Sequence, residues 1–235
     1  MIPIGDDDSD RTSAPIVNYI LICINILVFI MFQGMGGNEA FTLSYATVPQ
    51  EILTGTDITT NGLGLTPIPV YLTLITSMFM HGSIAHIGGN MLYLWIFGDN
   101  LENRMGHMKY LVFYLLTGVI ASLTHVFASS YFGNDLLVPS LGASGAISGV
   151  LGGYIILFPK NSVRVLFIGS ILRVPAFVTL GLWIGLQILS GWGSIGAHGG
   201  GVAYFAHIGG FLSGMLMVKF FATKVQAPVE RKGWF

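Results

Sequence analysis

Six apolar runs, each near the length that crosses a lipid bilayer, divide this sequence. A crossing needs about 20 mostly apolar residues, within a range of about 17–25. The runs are Ile16–Phe32, about Ile84–Gly98, Tyr110–Ala128, Pro139–Phe158, Val174–Gly191 and Gly201–Ala222. The uncharged stretch Val70–Ser83 extends the second run backwards. Of the 235 residues, 53% are hydrophobic and only 9% charged, against about 25% charged in soluble domains. So little charge cannot cover a soluble particle, but it can cover the two ends of a bundle whose sides face lipid. The expected fold is an all-α membrane protein, a bundle of six transmembrane helices. A secreted disulfide scaffold, a nucleic-acid binder and a disordered tail protein are excluded. The single cysteine, Cys23, allows neither an intramolecular disulfide nor a cysteine-based zinc site.

The charges set an orientation. All ten Lys and Arg residues fall in alternate connections: Arg11 in the N-terminal tail, Arg104 and Lys109 in the second loop, Lys160, Arg164 and Arg173 in the fourth, and Lys219, Lys224, Arg231 and Lys232 on the C-terminal side. By the positive-inside rule both termini are cytoplasmic. Residues 1–15 then read as a cytoplasmic tail, 16–222 as the membrane domain and 223–235 as a second cytoplasmic tail. Asp6, Asp7, Asp8 and Asp10 stand where a cleavable signal peptide would carry basic residues. Pro67–Gly98 is kept as one span, because its 32 residues barely suffice for two crossings and Pro67 and Pro69 shorten the usable helix. The first loop, about Gly34–Pro69, is the longest connection. Its Phe41, Leu43, Tyr45, Leu63 and Leu65 suggest that it lies on or in the outer interface. The compact size and short tails suggest a prokaryotic cell membrane.

Polar side chains at membrane depth are costly and mark function by default. His86 and Asn90 stand in the second span, Ser144 in the fourth and His207 in the sixth. His86 and Asn90 are four residues apart and share a helix face. Ser144 comes about five residues into its run and His207 about six, roughly 8–10 Å below the outer boundary. Four polar side chains from three helices thus converge on one depth. Serine needs a base to become a nucleophile, and a histidine on a facing helix supplies one. The small neighbours in Gly142-Ala143-Ser144-Gly145 leave the hydroxyl accessible. Free N–H groups at a helix N-terminus favour an oxyanion, and His86 and Asn90 add side-chain donors. The outer-side carboxylates Glu39, Glu51, Asp57 and Asp135 are all in loops, so a Ser–His dyad is the natural reading. A serine beside Gly145, Gly149 and Gly153 also reads as helix packing, and His198 in its glycine-rich setting is the rival base. His81 reads as organising the first loop through a side-chain hydrogen bond to backbone. His107 reads as solvated, and Glu102 with Arg104 as an ion pair or cap.

These residues resemble the rhomboid intramembrane serine proteases. The resemblance rests on Gly142-Ala143-Ser144-Gly145, on Ala206-His207-Ile208-Gly209-Gly210 with Gly214, and on His81-x4-His86-x3-Asn90 followed by Glu102-x-Arg104. Order and spacing match together over about Val70–Ala222. The resemblance implies a six-helix rhomboid-type fold that cleaves transmembrane substrates near the outer face. It implies that Ser144 is the nucleophile and His207 the general base, with His86, Asn90 and the Ser144 N–H forming the oxyanion hole. It also implies that Gly210 and Gly214 pack the sixth helix against the fourth. No cofactor and no metal are called for; the partners are transmembrane-helix substrates and the bilayer, with no nucleic acid. Some members carry a tyrosine four residues after the nucleophile, stacked on the histidine. Here that residue is Ser148, so the histidine must be held otherwise or more loosely. The Trp-Arg pair that some members have in the first loop is not found. The alternatives are an inactive relative that binds membrane helices and a small transporter, which would spread polar residues over several depths. A metalloprotease is disfavoured because there is no H-E-x-x-H motif.

Overall fold

The computed structural model describes residues 2–60, 62–196 and 202–223. The apolar runs form helices that stop where proline, glycine or a capping side chain interrupts them. Helix α1 spans Ile16–Leu27 and continues as a π-helical turn over Val28–Phe32. The first loop holds two short helices, α2 (Glu39–Tyr45) and α3 (Pro49–Thr54). A single turn, α4 (Thr73–Thr76), follows. Next come α5 (Ile84–Met105), α6 (His107–Phe132), α7 (Ser144–Leu157), α8 (Ala176–Gly193) and α9 (Tyr204–Phe221).

Three of these helices, α6, α8 and α9, are long and apolar enough to cross a bilayer. The segment Val70–Phe79 and helix α5 make a fourth crossing if counted together, but they are bent by 81°. Val70–Ser83 therefore does not extend the second span as a straight helix. Ser83 ends it, because its Oγ accepts from the His86 N–H and caps α5. Helix α1 with its π-turn and helix α7 are apolar but shorter. At about 1.5 Å per residue, α7 is near 21 Å long, less than the hydrocarbon thickness of about 30 Å. It can be short because it is central: ten of its fourteen residues are buried by protein. The outer helices turn large apolar side chains outward, among them Leu189, Leu216 and Phe220 at 70%, 75% and 84% exposure. Such a belt suits lipid and not water. The chain is a multi-pass integral membrane protein.

The all-α expectation is corrected by a three-stranded antiparallel sheet. Strand β1 (Ile2–Gly5) pairs with β2 (Ser162–Phe167), and β2 with β3 (Ser170–Pro175). The N-terminal tail and the fourth connection are thus one element. Alternation in Val163-Arg164-Val165 is the physical cause: both valines are fully buried in the main core, while Arg164 faces out. The sheet sits beyond the C-terminal end of α7. The described Lys and Arg residues, Arg11 to Lys219, fall in loops, at helix ends or in strands β2 and β3 on this side of the bundle.

Buried polar groups bind the same end. Glu102 is fully buried, and its two oxygens accept from the backbone N–H groups of Val17 (2.9 Å) and Asn18 (2.7 Å). It thereby caps α1 from another helix, where the first amides lack intrahelical partners. His107 also bonds Glu102. The capping half of the sequence reading holds; the ion-pair half does not, since the Arg104 guanidinium lies 5.8 Å over the Phe158 ring instead. Asp6, just after β1, accepts from Tyr154 near the end of α7 and from Asn100 of α5.

Helices α7 and α9 approach more closely than any side chain would permit. A Cβ on Gly210 would overlap the Gly145 carbonyl oxygen, and one on Gly214 that of Gly149. Gly152 meets the Phe211 carbonyl in the reverse sense. Only glycine fits at such contacts.

Two expectations follow. Gly210→Ala forces backbone apart, a strain of about 1–3 kcal/mol, and should lower the melting temperature in detergent by several degrees. Gly185→Ala, which meets open space, should leave it unchanged; equal melting of both variants would contradict the packing argument. Burial also pushes the Asp6 carboxyl from 3.8 up to about 7. The folded protein then keeps a proton that the unfolded chain releases, so stability falls as pH rises from about 4 to about 7. Thermal melts across that range should show the slope in the wild type and a flatter one in Asp6→Asn.

Candidate active site

The route from α6 to α7 sets where the serine lies. Proline and glycine keep Pro139–Gly142 out of the helix, and Gly142 takes a φ of +122°. Ser140 pairs with Thr47 of the first loop through two backbone bonds, and Gly142 N–H donates to Ser77 O. The first loop thus holds the segment that leads into α7. Helix α7 begins at Ser144 itself. The serine is therefore not a turn and a half inside its helix, as the sequence suggested, but at its first residue. That sharpens the electrostatics. The free amides of the first turn and the positive end of the helix dipole lie beside its Oγ.

His207 stands in the first turn of α9. Its Nε2 is 2.8 Å from Ser144 Oγ. The glycine contacts between α7 and α9 set this distance, because they bring the two helix beginnings together. Both residues line one cavity of about 840 Å³, with His86, Asn90, His125 and Trp183 among its other walls. His86 closes the cavity beside Gly142, where an added Cβ would come within 2.8 Å of the imidazole Nε2. Asn90 is buried, and its amide nitrogen has no hydrogen-bond partner among the described residues. An unused buried donor costs about 1–3 kcal/mol, so its presence in the wall of this cavity calls for an acceptor.

The remaining histidines separate. His81, just before α5, meets Gln33 at the end of the π-helical turn through its backbone: its N–H donates to Gln33 Oε1, and its carbonyl accepts from Gln33 Nε2. Its ring is fully buried, edge-on to Phe29, and neither ring nitrogen meets a partner among the described residues. The expected side-chain hydrogen bond is absent there. His125 lines the cavity from α6, a position the sequence reading left without a role. His198, the rival base, lies outside the described residues.

Ser148 does not reach the histidine; its Oγ donates to the Ser144 carbonyl at 2.6 Å. Instead α8 meets His207. The Trp183 ring lies 5.8 Å from the imidazole, and Gln187 Oε1 is 2.7 Å from Nδ1. Sequence reading missed Gln187, although it is a polar residue inside an apolar span.

A model of the rhomboid domain matches residues 69–224. The chain belongs to the rhomboid family. It is 28% identical over 216 residues to the mitochondrial rhomboid protein 1 of Saccharomyces cerevisiae, covering 91% of this chain and 56% of that protein. It is also 28% identical to the rhomboid protease GluP of Bacillus subtilis, over 85% of this chain and 36% of the relative. With the human presenilin-associated rhomboid-like protein, mitochondrial, the identity is 29% over 63% of this chain and 37% of the relative. The chain thus spans roughly a third to a little over half of the length of these relatives. They include mitochondrial and bacterial proteins, so they lend no support to a prokaryotic membrane over a mitochondrial one.

Proposed function

We propose that this rhomboid is an intramembrane serine endopeptidase acting on transmembrane segments of other proteins. The observation that carries the reading is the 2.8 Å contact between Ser144 Oγ and His207 Nε2, made by two separate helices at the edge of one cavity. Six crossings with both termini in the cytoplasm complete the proposal. The gathering of described basic residues at the sheet end supports this orientation, in which Ser144 lies near the outer face.

In the proposed reaction the Ser144 oxygen attacks a peptide carbonyl carbon while its proton passes to His207 Nε2. The carbonyl oxygen becomes an oxyanion, received by the Ser144 N–H at the start of α7, by His86 and by Asn90 Nδ2. Each such donor is worth about 2.7–4 kcal/mol in the transition state. Collapse breaks the C–N bond, and His207 returns its proton to the leaving amine. Water then attacks the acyl-serine by the same route in reverse. A helix hides its carbonyls in its own hydrogen bonds, so the substrate must unwind near the cut. Small or helix-breaking residues there would lower that cost.

The test uses purified protein in detergent with a model transmembrane substrate. Wild type should cut it, and Ser144→Ala and His207→Ala should each lose at least about 1,000-fold in rate. Equal cleavage by all three would place the activity elsewhere. No cleavage by well-folded wild type would favour the helix-binding, inactive alternative.

A further inference from the structure

A histidine base must carry its proton on the nitrogen that does not face the serine. His207 shows what fixes this. Nε2 faces Ser144 Oγ at 2.8 Å, and Nδ1 faces Gln187 Oε1 at 2.7 Å. A side-chain carbonyl can only accept, so Nδ1 must donate. Nε2 is then left with its lone pair toward the serine hydroxyl. We infer that Gln187 is a positioning residue, whose carbonyl holds the proton on His207 Nδ1 and so keeps Nε2 free to receive the proton of Ser144. The inference rests on the serine-protease reading and extends it.

Three features favour this role over incidental packing. Gln187 is an uncharged polar residue on the least buried of the long helices, where leucine would cost less. Trp183 precedes it by one helical turn on the same face, and its ring lies 5.8 Å from the imidazole at an angle of 36°. The two side chains of α8 therefore hold the ring in plane and in tautomer. Ser148, which could have done part of this, bonds the Ser144 carbonyl instead.

The proton balance is simple. The Ser144 proton moves to Nε2 on attack and from Nε2 to the departing amine on collapse. The Nδ1 proton stays between His207 and Gln187 throughout, since an amide oxygen is too weak a base to take it. The bond strengthens while the ring is positively charged, which makes it a transition-state interaction. The titratable groups facing His207 are His86 from α5 and His125 from α6; α7 presents Ser144 and α8 the neutral Trp183 and Gln187.

The test compares wild type, Gln187→Leu and Gln187→Glu by steady-state cleavage of a model transmembrane substrate. It adds fluorophosphonate labelling of Ser144 and melting temperature. Gln187→Leu should lower kcat by about 10- to 100-fold, with KM within about twofold and labelling slowed in parallel. Gln187→Glu also accepts from Nδ1 but adds a negative charge that favours the imidazolium. It should keep substantial activity while the acid limb of its pH–rate profile moves up by roughly one pH unit or more. A Gln187→Leu variant with wild-type kcat, or a Gln187→Glu profile with an unmoved acid limb, overturns the inference. Loss of melting stability in Gln187→Leu leaves the Gln187→Glu profile as the deciding measurement. A wild type that neither cleaves nor labels would overturn the protease reading itself, a distinct outcome.

Discussion

The contact on which the structure depends is backbone against backbone between α7 and α9. Carbonyls of Gly145 and Gly149 rest where Cβ atoms would stand on Gly210 and Gly214. In lipid there is no hydrophobic drive between helices, so close van der Waals approach has to supply the adhesion. Because the contact is made by rigid backbone, it also fixes register. Gly145 follows Ser144 and Gly210 follows His207 by three residues, so the seam that joins the helices leads directly to the two side chains. Other glycines widen the seam into a layer: Gly149 receives Thr117 of α6, and Gly209 receives Thr124. Helix α7 is wrapped on all sides, which explains how a helix too short to span can still be the center of a membrane protein.

The opposite end is organised by polar groups that cannot be left alone. Glu102 caps α1, Asn18 accepts from Tyr110 at 2.8 Å and donates to the Leu94 carbonyl, and Asp6 joins Tyr154 to Asn100. Each link runs between elements far apart in sequence. A network of this kind is costly when broken, since each remaining buried partner would lose its hydrogen bond. It gives the end of the bundle a unique arrangement that apolar packing alone would not. The strand β1 belongs to it, because the chain that adds the third strand also delivers Asp6 to the end of α7.

Much of this was legible in the residue order. Apolar runs located the long helices, because a bilayer demands length and low charge together, although α5 runs on seven residues past Gly98 to Met105. Ser144, His207, His86 and Asn90 were separable from their surroundings for the same reason, and they do line a single cavity. What escaped was set by nonlocal contacts. The start of α7 depends on Ser140 being held by Thr47, about ninety residues earlier. The sheet depends on β1 and β2 meeting, and neither is long enough to announce itself. Helix α5 is divorced from Val70–Phe79 by one capping serine, a feature that hydropathy averages away. Gln187 was overlooked because it shares no motif with the other site residues and meets His207 only across two helices, twenty residues apart.

The site therefore divides its tasks between tight and loose parts of the bundle. The Ser144–His207 distance belongs to α7 and α9, whose glycine seam tolerates no adjustment. The far side of the imidazole belongs to α8, where only Ala176, Leu180 and Gly191 are buried and several glycines face open space. One long side chain can bridge from such a helix without requiring its backbone to approach. Gln187 makes that bridge, with its Oε1 2.7 Å from His207 Nδ1. In the proposed enzyme, distance is then held by a rigid contact and tautomer by a compliant one.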